Sequence, residues 1–145
     1  MKAKEILRNK GPEVFTVGES KTIREAMELL VNNRIGVLLV LNSSGKFVGI
    51  ISERDILRLA HSSPDNFLEK SVEDVMTRKI IYADYDDDVD YIESMMSRNK
   101  VRHLPVLKDR VLVGLISIGD VVKASLSDKK FENKYLLDYI SGNVK

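Results

Sequence analysis

With 145 residues, 23 basic and 22 acidic side chains and a formal net charge of +1, the chain offers no bulk electrostatic attraction for nucleic acid or for a membrane surface. The absence of cysteine excludes disulfide frameworks, thiolate nucleophiles and Cys-ligated zinc. No apolar run approaches the roughly 20 residues of a membrane-spanning helix, and the length suits one compact domain or two small units sharing a core.

From the amino end, residues 4–8 read as a short helix stopped by Asn9-Lys10-Gly11-Pro12. Residues 14–17 read as a short strand. Thr22-Ile23-Arg24-Glu25 is a capping box, in which the Thr hydroxyl and the Glu carboxylate answer each other's backbone donors. Ile23, Ala26, Met27, Leu30 and Val31 then fall on one face of a helix. Strands at 35–41 and 47–51 flank the turn Asn42-Ser43-Ser44-Gly45. Both strands are apolar at consecutive positions, as expected of a sheet covered on both faces. A second helix starts at Ser52.

After the linker around Pro64, a helical stretch at 72–76 echoes Glu5-Ile6-Leu7, and the order recurs. A strand at 80–83 and a helix at 88–98 come first. Strands at 103–107 and 111–116 and a helix from Ser117 follow, and residues 136–140 read as a helical tail. The duplication is visible residue by residue. Val37 aligns with His103 at an offset of 66, and Gly49 with Gly114 at an offset of 65. The expected fold is α/β (α+β), with tandem β-α-β-β-α repeats. Its expected divisions are 1–62 with the short N-terminal helix, 63–76 as linker, 77–128 as second repeat and 129–145 as C-terminal helical tail.

Each copy carries one Gly-x-x-Ser-x-x-Asp signature: Gly49, Ser52 and Asp55, then Gly114, Ser117 and Asp120. Two readings stand side by side. Ser-x-x-Asp is a capping box that starts a helix. A hydroxyl at a helix N-terminus with a carboxylate one turn on is also an anion and ribose-diol grip, and the glycine lets another group approach the strand. Arg102 and His103, at a helix-to-strand junction, read either as an exposed loop pair or as a phosphate contact. The acidic run Asp84, Asp86, Asp87, Asp88 and Asp90 lacks the pattern of a calcium loop, and Asp88 fits a helix N-cap. Met27, Met95 and Met96 fall at core positions. No Ser-His-Asp triad, paired carboxylate or phosphate-binding glycine loop is apparent, which points to a receptor and not to an enzyme.

These motifs together resemble the CBS domain, named from cystathionine β-synthase. The resemblance rests on 49–55, 114–120, Val101-Arg102-His103-Leu104-Pro105-Val106 and Asp74-Val75-Met76-Thr77, and it covers residues 3–125. It implies two repeats packed sheet to sheet about a pseudo-twofold axis, with two clefts that bind adenosyl compounds (AMP, ADP, ATP, NAD(H) or S-adenosylmethionine). Carried over, one cleft comprises Thr16, Gly36 and Val37 with Ser117 and Asp120. The other comprises Tyr82, Arg102, His103 and Pro105 with Ser52 and Asp55, and Arg54 stands nearby as a further phosphate contact. The aspartates would hold the ribose, the serines the phosphate, and Mg²⁺ would come only with a polyphosphate. The cations favour the second cleft for the nucleotide. The resemblance further implies a regulatory role, no tightly bound cofactor, no catalytic or metal residues, a homodimer packed through its helices, and an unidentified target protein. Neither nucleic acid nor membrane is expected as partner, and the expected address is cytoplasmic.

Overall fold

The computed structural model describes residues 1–11 and 13–128; the tail expected at 136–140 lies outside them. The elements run α1 (Ala3–Lys10), β1 (Thr16–Gly18), α2 (Ile23–Asn33), β2 (Val37–Leu41), β3 (Phe47–Ser52), α3 (Glu53–Ser62), a 3₁₀ turn (Phe67–Glu69), α4 (Val72–Val75), β4 (Ala83–Asp84), α5 (Val89–Asn99), β5 (His103–Lys108), β6 (Val111–Ser117) and α6 (Ile118–Asp128). This is the mixed α+β repeat that the sequence implies. The differences are confined to element ends: Ser52 and Ser117 close their strands and cap the helices that begin one residue later, and β4 lies later than 80–83.

The described residues form two compact units, one of residues 13–81 and one that joins residues 1–11 to residues 82–128. In the first, β1 runs parallel to β2, with Thr16 opposite Leu39, and β2 runs antiparallel to β3, with Val37 opposite Ser52. The core gathers Val17, Leu38, Val40 and Ile51 from the sheet, Ile23, Ala26 and Leu30 from α2, and Ile56, Val72 and Met76. The expected capping box opens α2: Glu25 N–H donates to Thr22 Oγ1 at 3.2 Å, and Thr22 N–H to Glu25 Oε2 at 3.0 Å. In the second unit β4 runs parallel to β5, and β5 antiparallel to β6, with His103 opposite Ser117. Leu104, Val106, Ile116, Ile92, Met96 and Val121 are buried there.

The short helices are exchanged between the repeats. Helix α1 precedes the first repeat in sequence but packs in the unit of the second: Ala3 N–H donates to Asp87 O at 2.9 Å, and Val89 N–H to Met1 O at 2.9 Å. Helix α4 precedes the second repeat but packs in the unit of the first. Val72 N–H donates to Lys21 O at 2.8 Å, and Ile50 and Thr77 exchange backbone bonds of 3.0 and 2.8 Å. The sequence-based division at residue 62 therefore tracks the repeat in the chain, whereas the units in space swap their leading segments.

The motif glycines explain how these segments dock. A methyl group on Gly114 would stand 2.6 Å from Leu7 Cδ2, and one on Gly49 would overlap Met76 and lie 3.2 Å from Thr77 O. The group admitted by each glycine is thus the chain's own Leu7 or Met76. This accounts for the glycines by internal packing.

Candidate functional site

Both Ser-x-x-Asp signatures sit where the last strand of a repeat hands over to its last helix. In the first, Asp55 N–H donates to Ser52 Oγ at 3.3 Å, and Ser52 N–H donates to Asp55 Oδ2 at 2.9 Å. The Ser52 hydroxyl also donates to Asp55 Oδ2 at 3.1 Å. In the second, Asp120 N–H donates to Ser117 Oγ at 3.1 Å, and Ser117 N–H to Asp120 Oδ2 at 2.9 Å. The capping reading is therefore correct for both, and it leaves all four side chains partly exposed.

The backbone of the preceding junction joins each site. Glu53 N–H donates to Gly36 O at 2.9 Å, and Ile118 N–H to Arg102 O at 2.8 Å. Gly36 and Arg102 are thus equivalent. Both follow a helix closed by a left-handed residue, Arg34 at φ 54° and Lys100 at φ 55°, which turns the chain sharply into the strand. The junctions differ in chemistry. In the first, a methyl added to Gly36 would stand 3.3 Å from Glu53 Oε1, whereas the second presents Arg102 and Ile118.

Unit by unit, Thr16, Gly36, Val37, Ser52, Arg54 and Asp55 belong to the first, and Tyr82, Arg102, His103, Pro105, Ser117 and Asp120 to the second. Thr16, Arg54, Tyr82 and Arg102 are exposed, while Val37 and Pro105 are buried strand residues. Of the acidic run, Asp84 and Asp87 tie their own turn: Asp84 N–H donates to Asp87 Oδ2 at 2.8 Å, and Asp86 N–H to Asp84 Oδ2 at 3.0 Å. Asp88 occupies the N-cap position of α5, but its side chain makes no capping bond. Among the described residues no three acidic or His side chains converge as a metal site.

Sequence reasoning missed Lys10. From the last turn of α1, its ammonium donates to Leu115 O and to Asp120 Oδ2, each at 2.8 Å. Burial works to raise the Asp120 carboxyl, but the Lys10 ammonium and the Ser117 N–H outweigh it and hold the group below its ordinary range. In the sequence Lys10 belongs to the stop signal of a helix assigned to the other repeat, and nothing there hints at a partner 110 residues away.

A helix capped by a Ser-Asp pair at the end of a three-stranded sheet, present twice at equivalent positions, defines a tandem β-α-β-β-α repeat protein. The chain belongs to the CBS-domain family, whose model matches residues 3–62 and 72–127. It is similar to the CBS-domain-containing protein ATU1752 of Agrobacterium tumefaciens, at 35% identity and a TM-score of 0.83, covering 86% of this chain and 92% of that one. It is also similar to the CBS domain pair of protein MJ0100, solved in complex with 5′-methylthioadenosine and S-adenosyl-L-methionine. That likeness has 30% identity and a TM-score of 0.76, and it covers 89% and 98% of the two chains. A curated relative is the mitochondrial CBS domain-containing protein CBSX3 of Arabidopsis thaliana, 33% identical over 125 residues. These are 83% of this chain but 61% of the relative, so the chain spans less than two thirds of that protein's length. No helix among the described residues is long and apolar enough to cross a membrane.

Proposed function

We propose that the chain is a regulatory module that binds an adenosyl ligand through its two Ser-x-x-Asp signatures and passes ligand state to a target protein. The observation that carries this is the likeness to a domain pair solved with two adenosyl compounds. The chemistry of the signatures supports it. Each sets a hydroxyl and a helix N-terminus beside a carboxylate, the donor and acceptor set that suits a phosphate and a ribose diol. Arg102 and Arg54 are exposed cations suited to a phosphate. AMP, ADP, ATP, NAD(H), S-adenosylmethionine and 5′-methylthioadenosine form the test panel, with Mg²⁺ added for the polyphosphates. At least one is expected to raise the melting temperature, because a ligand at 100 times its Kd stabilises the folded chain by about 2.7 kcal/mol. If none does so at millimolar concentration, the signatures take no adenosyl ligand and the chain is a structural scaffold.

The signatures are expected to bind unequally. Asp55→Ala should weaken binding by roughly 1.5–3 kcal/mol, the worth of a hydrogen bond to a charged group, and Asp120→Ala by less. Because both carboxylates also cap helices, both variants lose apo stability. Affinity must therefore be read by calorimetry below the melting range; equal losses would contradict the preference for the signature at Asp55.

We further propose that the module is a homodimer packed through helices. The apolar rows of α2 and α5 supply no such face, because Ile23 and Leu30 in the first copy and Val89, Ile92 and Met96 in the second are buried within the chain. Met27 is half-buried. The unpartnered apolar side chains lie one row further out. Leu57 on α3 is 70% exposed, and its repeat equivalent Val122 on α6 is 51% exposed. Beside Leu57, helices α2 and α3 border a cavity of about 620 Å³ lined by Met27, Val31, Ile35, Ala60 and Phe67.

A further inference from the structure

We propose that Lys10 is a latch on the Asp120 carboxylate, so that an adenosyl ligand reaches this signature only by displacing the lysine. The inference rests on the adenosyl-binding reading above and adds to it a reason for the two copies to differ. A carboxylate oxygen offers about two lone-pair sites. Oδ2 of Asp120 already accepts from the Ser117 N–H at 2.9 Å and from the Lys10 ammonium at 2.8 Å. A diol seeking both oxygens therefore meets a charge-assisted bond that has to break. Oδ2 of Asp55 also has two donors, the Ser52 N–H at 2.9 Å and the Ser52 hydroxyl at 3.1 Å. The second of these is a neutral rotor that turns away without separating charges. The Asp120 signature is latched and the Asp55 signature is open.

The cause lies in the lengths of the exchanged helices. Leu7 packs on Gly114, and Lys10, three residues on, shares its face of α1 because the helix continues through Lys10. Docking Leu7 therefore carries Lys10 to the end of β6, where Leu115 O and Asp120 receive it. In the other copy Met76 packs on Gly49, and Lys79 stands three residues on. There α4 has already ended at Val75, so no helical turn delivers Lys79, and it forms no ion pair with Asp55. A ligand that displaces Lys10 releases the last turn of α1, which links occupancy of this signature to the N-terminal segment.

The test isolates the latched site by removing the open one. In an Asp55→Ala background, affinity for 5′-methylthioadenosine and for AMP is measured by calorimetry with and without Lys10→Met. 5′-Methylthioadenosine carries no phosphate, so loss of the lysine charge acts on it through Asp120 alone. Lys10→Met is expected to tighten its binding about fivefold, the upper end for a partly exposed ion pair, or to reveal binding that was undetectable with Lys10 in place. Adding Asp120→Ala should abolish the gain. Unchanged affinity for 5′-methylthioadenosine overturns the latch and leaves the adenosyl reading standing. Weaker binding of it does the same and makes Lys10 a ligand contact instead. A wild-type chain that binds no member of the adenosyl panel overturns the adenosyl reading, and the latch falls with it.

Discussion

Gly114→Ala is expected to lower the stability of the chain by about 1–3 kcal/mol, the range for an added methylene in a filled site. The new methyl group would stand 2.6 and 3.0 Å from the two methyls of Leu7 and 3.3 Å from its Cγ, so α1 has to shift or Leu7 has to leave its rotamer. A shift of α1 also pulls Lys10 from its place beside Asp120. Because the obstacle is a side chain, Leu7→Ala should relieve it. The double variant Leu7→Ala with Gly114→Ala is expected to be more stable than the sum of the single losses by about 1–2 kcal/mol, a coupling typical of residues in contact. Gly49→Ala should be at least as damaging and harder to rescue. Met76 is flexible and able to move, but Thr77 O stands 3.2 Å from the added methyl and is held in place by Ile50 N–H at 3.0 Å. Urea titrations of the single and double variants decide the matter. Losses that add within about 0.5 kcal/mol would show that the glycines are not there to admit these side chains.

The same glycines show where sequence reading reaches its end. Their spacing announced a close approach to the strand, but the sequence did not say what approaches. A ligand and a neighbouring side chain demand the same absence of a Cβ. The periodic segments were legible because their signals are local: the box at Thr22 and Glu25, the apolar face of α2, and the alternation of strand and turn that recurs with an offset of 65 or 66. The tight turn between β5 and β6 was less so, because Asp109 and Arg110 adopt positive φ of 50° and 67°, where glycine or asparagine is the usual signal. Least legible was the exchange of α1 and α4. Nearness in the chain assigned each to the repeat that follows it, whereas Leu7 and Met76 fit the glycine of the other repeat. Lys10 was lost with that assignment. An amphipathic pattern likewise gives a face but not what covers it: the apolar rows of α2 and α5, open to a dimer packed through helices, are covered within the chain at Ile23, Ile92 and Met96.

That correction reshapes the test of assembly. A dimer that packs through the helices should be broken by Leu57→Lys together with Val122→Lys, because these side chains project from equivalent places on α3 and α6 at 70% and 51% exposure. Substituting Met96 instead would place a charge in the core of one chain, where it is 2% exposed, and any loss of dimer would only report unfolding. A second copy brings the same two apolar side chains, so an isologous contact offers each of them an apolar partner. Burying a Leu or Val is worth about 1.5–3 kcal/mol, and two positions in two chains give four such side chains. Even at the low end their loss amounts to about 6 kcal/mol, which moves a micromolar dissociation constant past the millimolar range. Light scattering at tens of micromolar is therefore expected to report a dimer for the wild-type chain and a monomer for the double variant, with melting of each chain retained. The contact should bury about 1,000 Å² or more in total, the lower bound for a stable association. A wild-type monomer at that concentration would refute the dimer. A double variant that stays dimeric would place the interface elsewhere than at Leu57 and Val122.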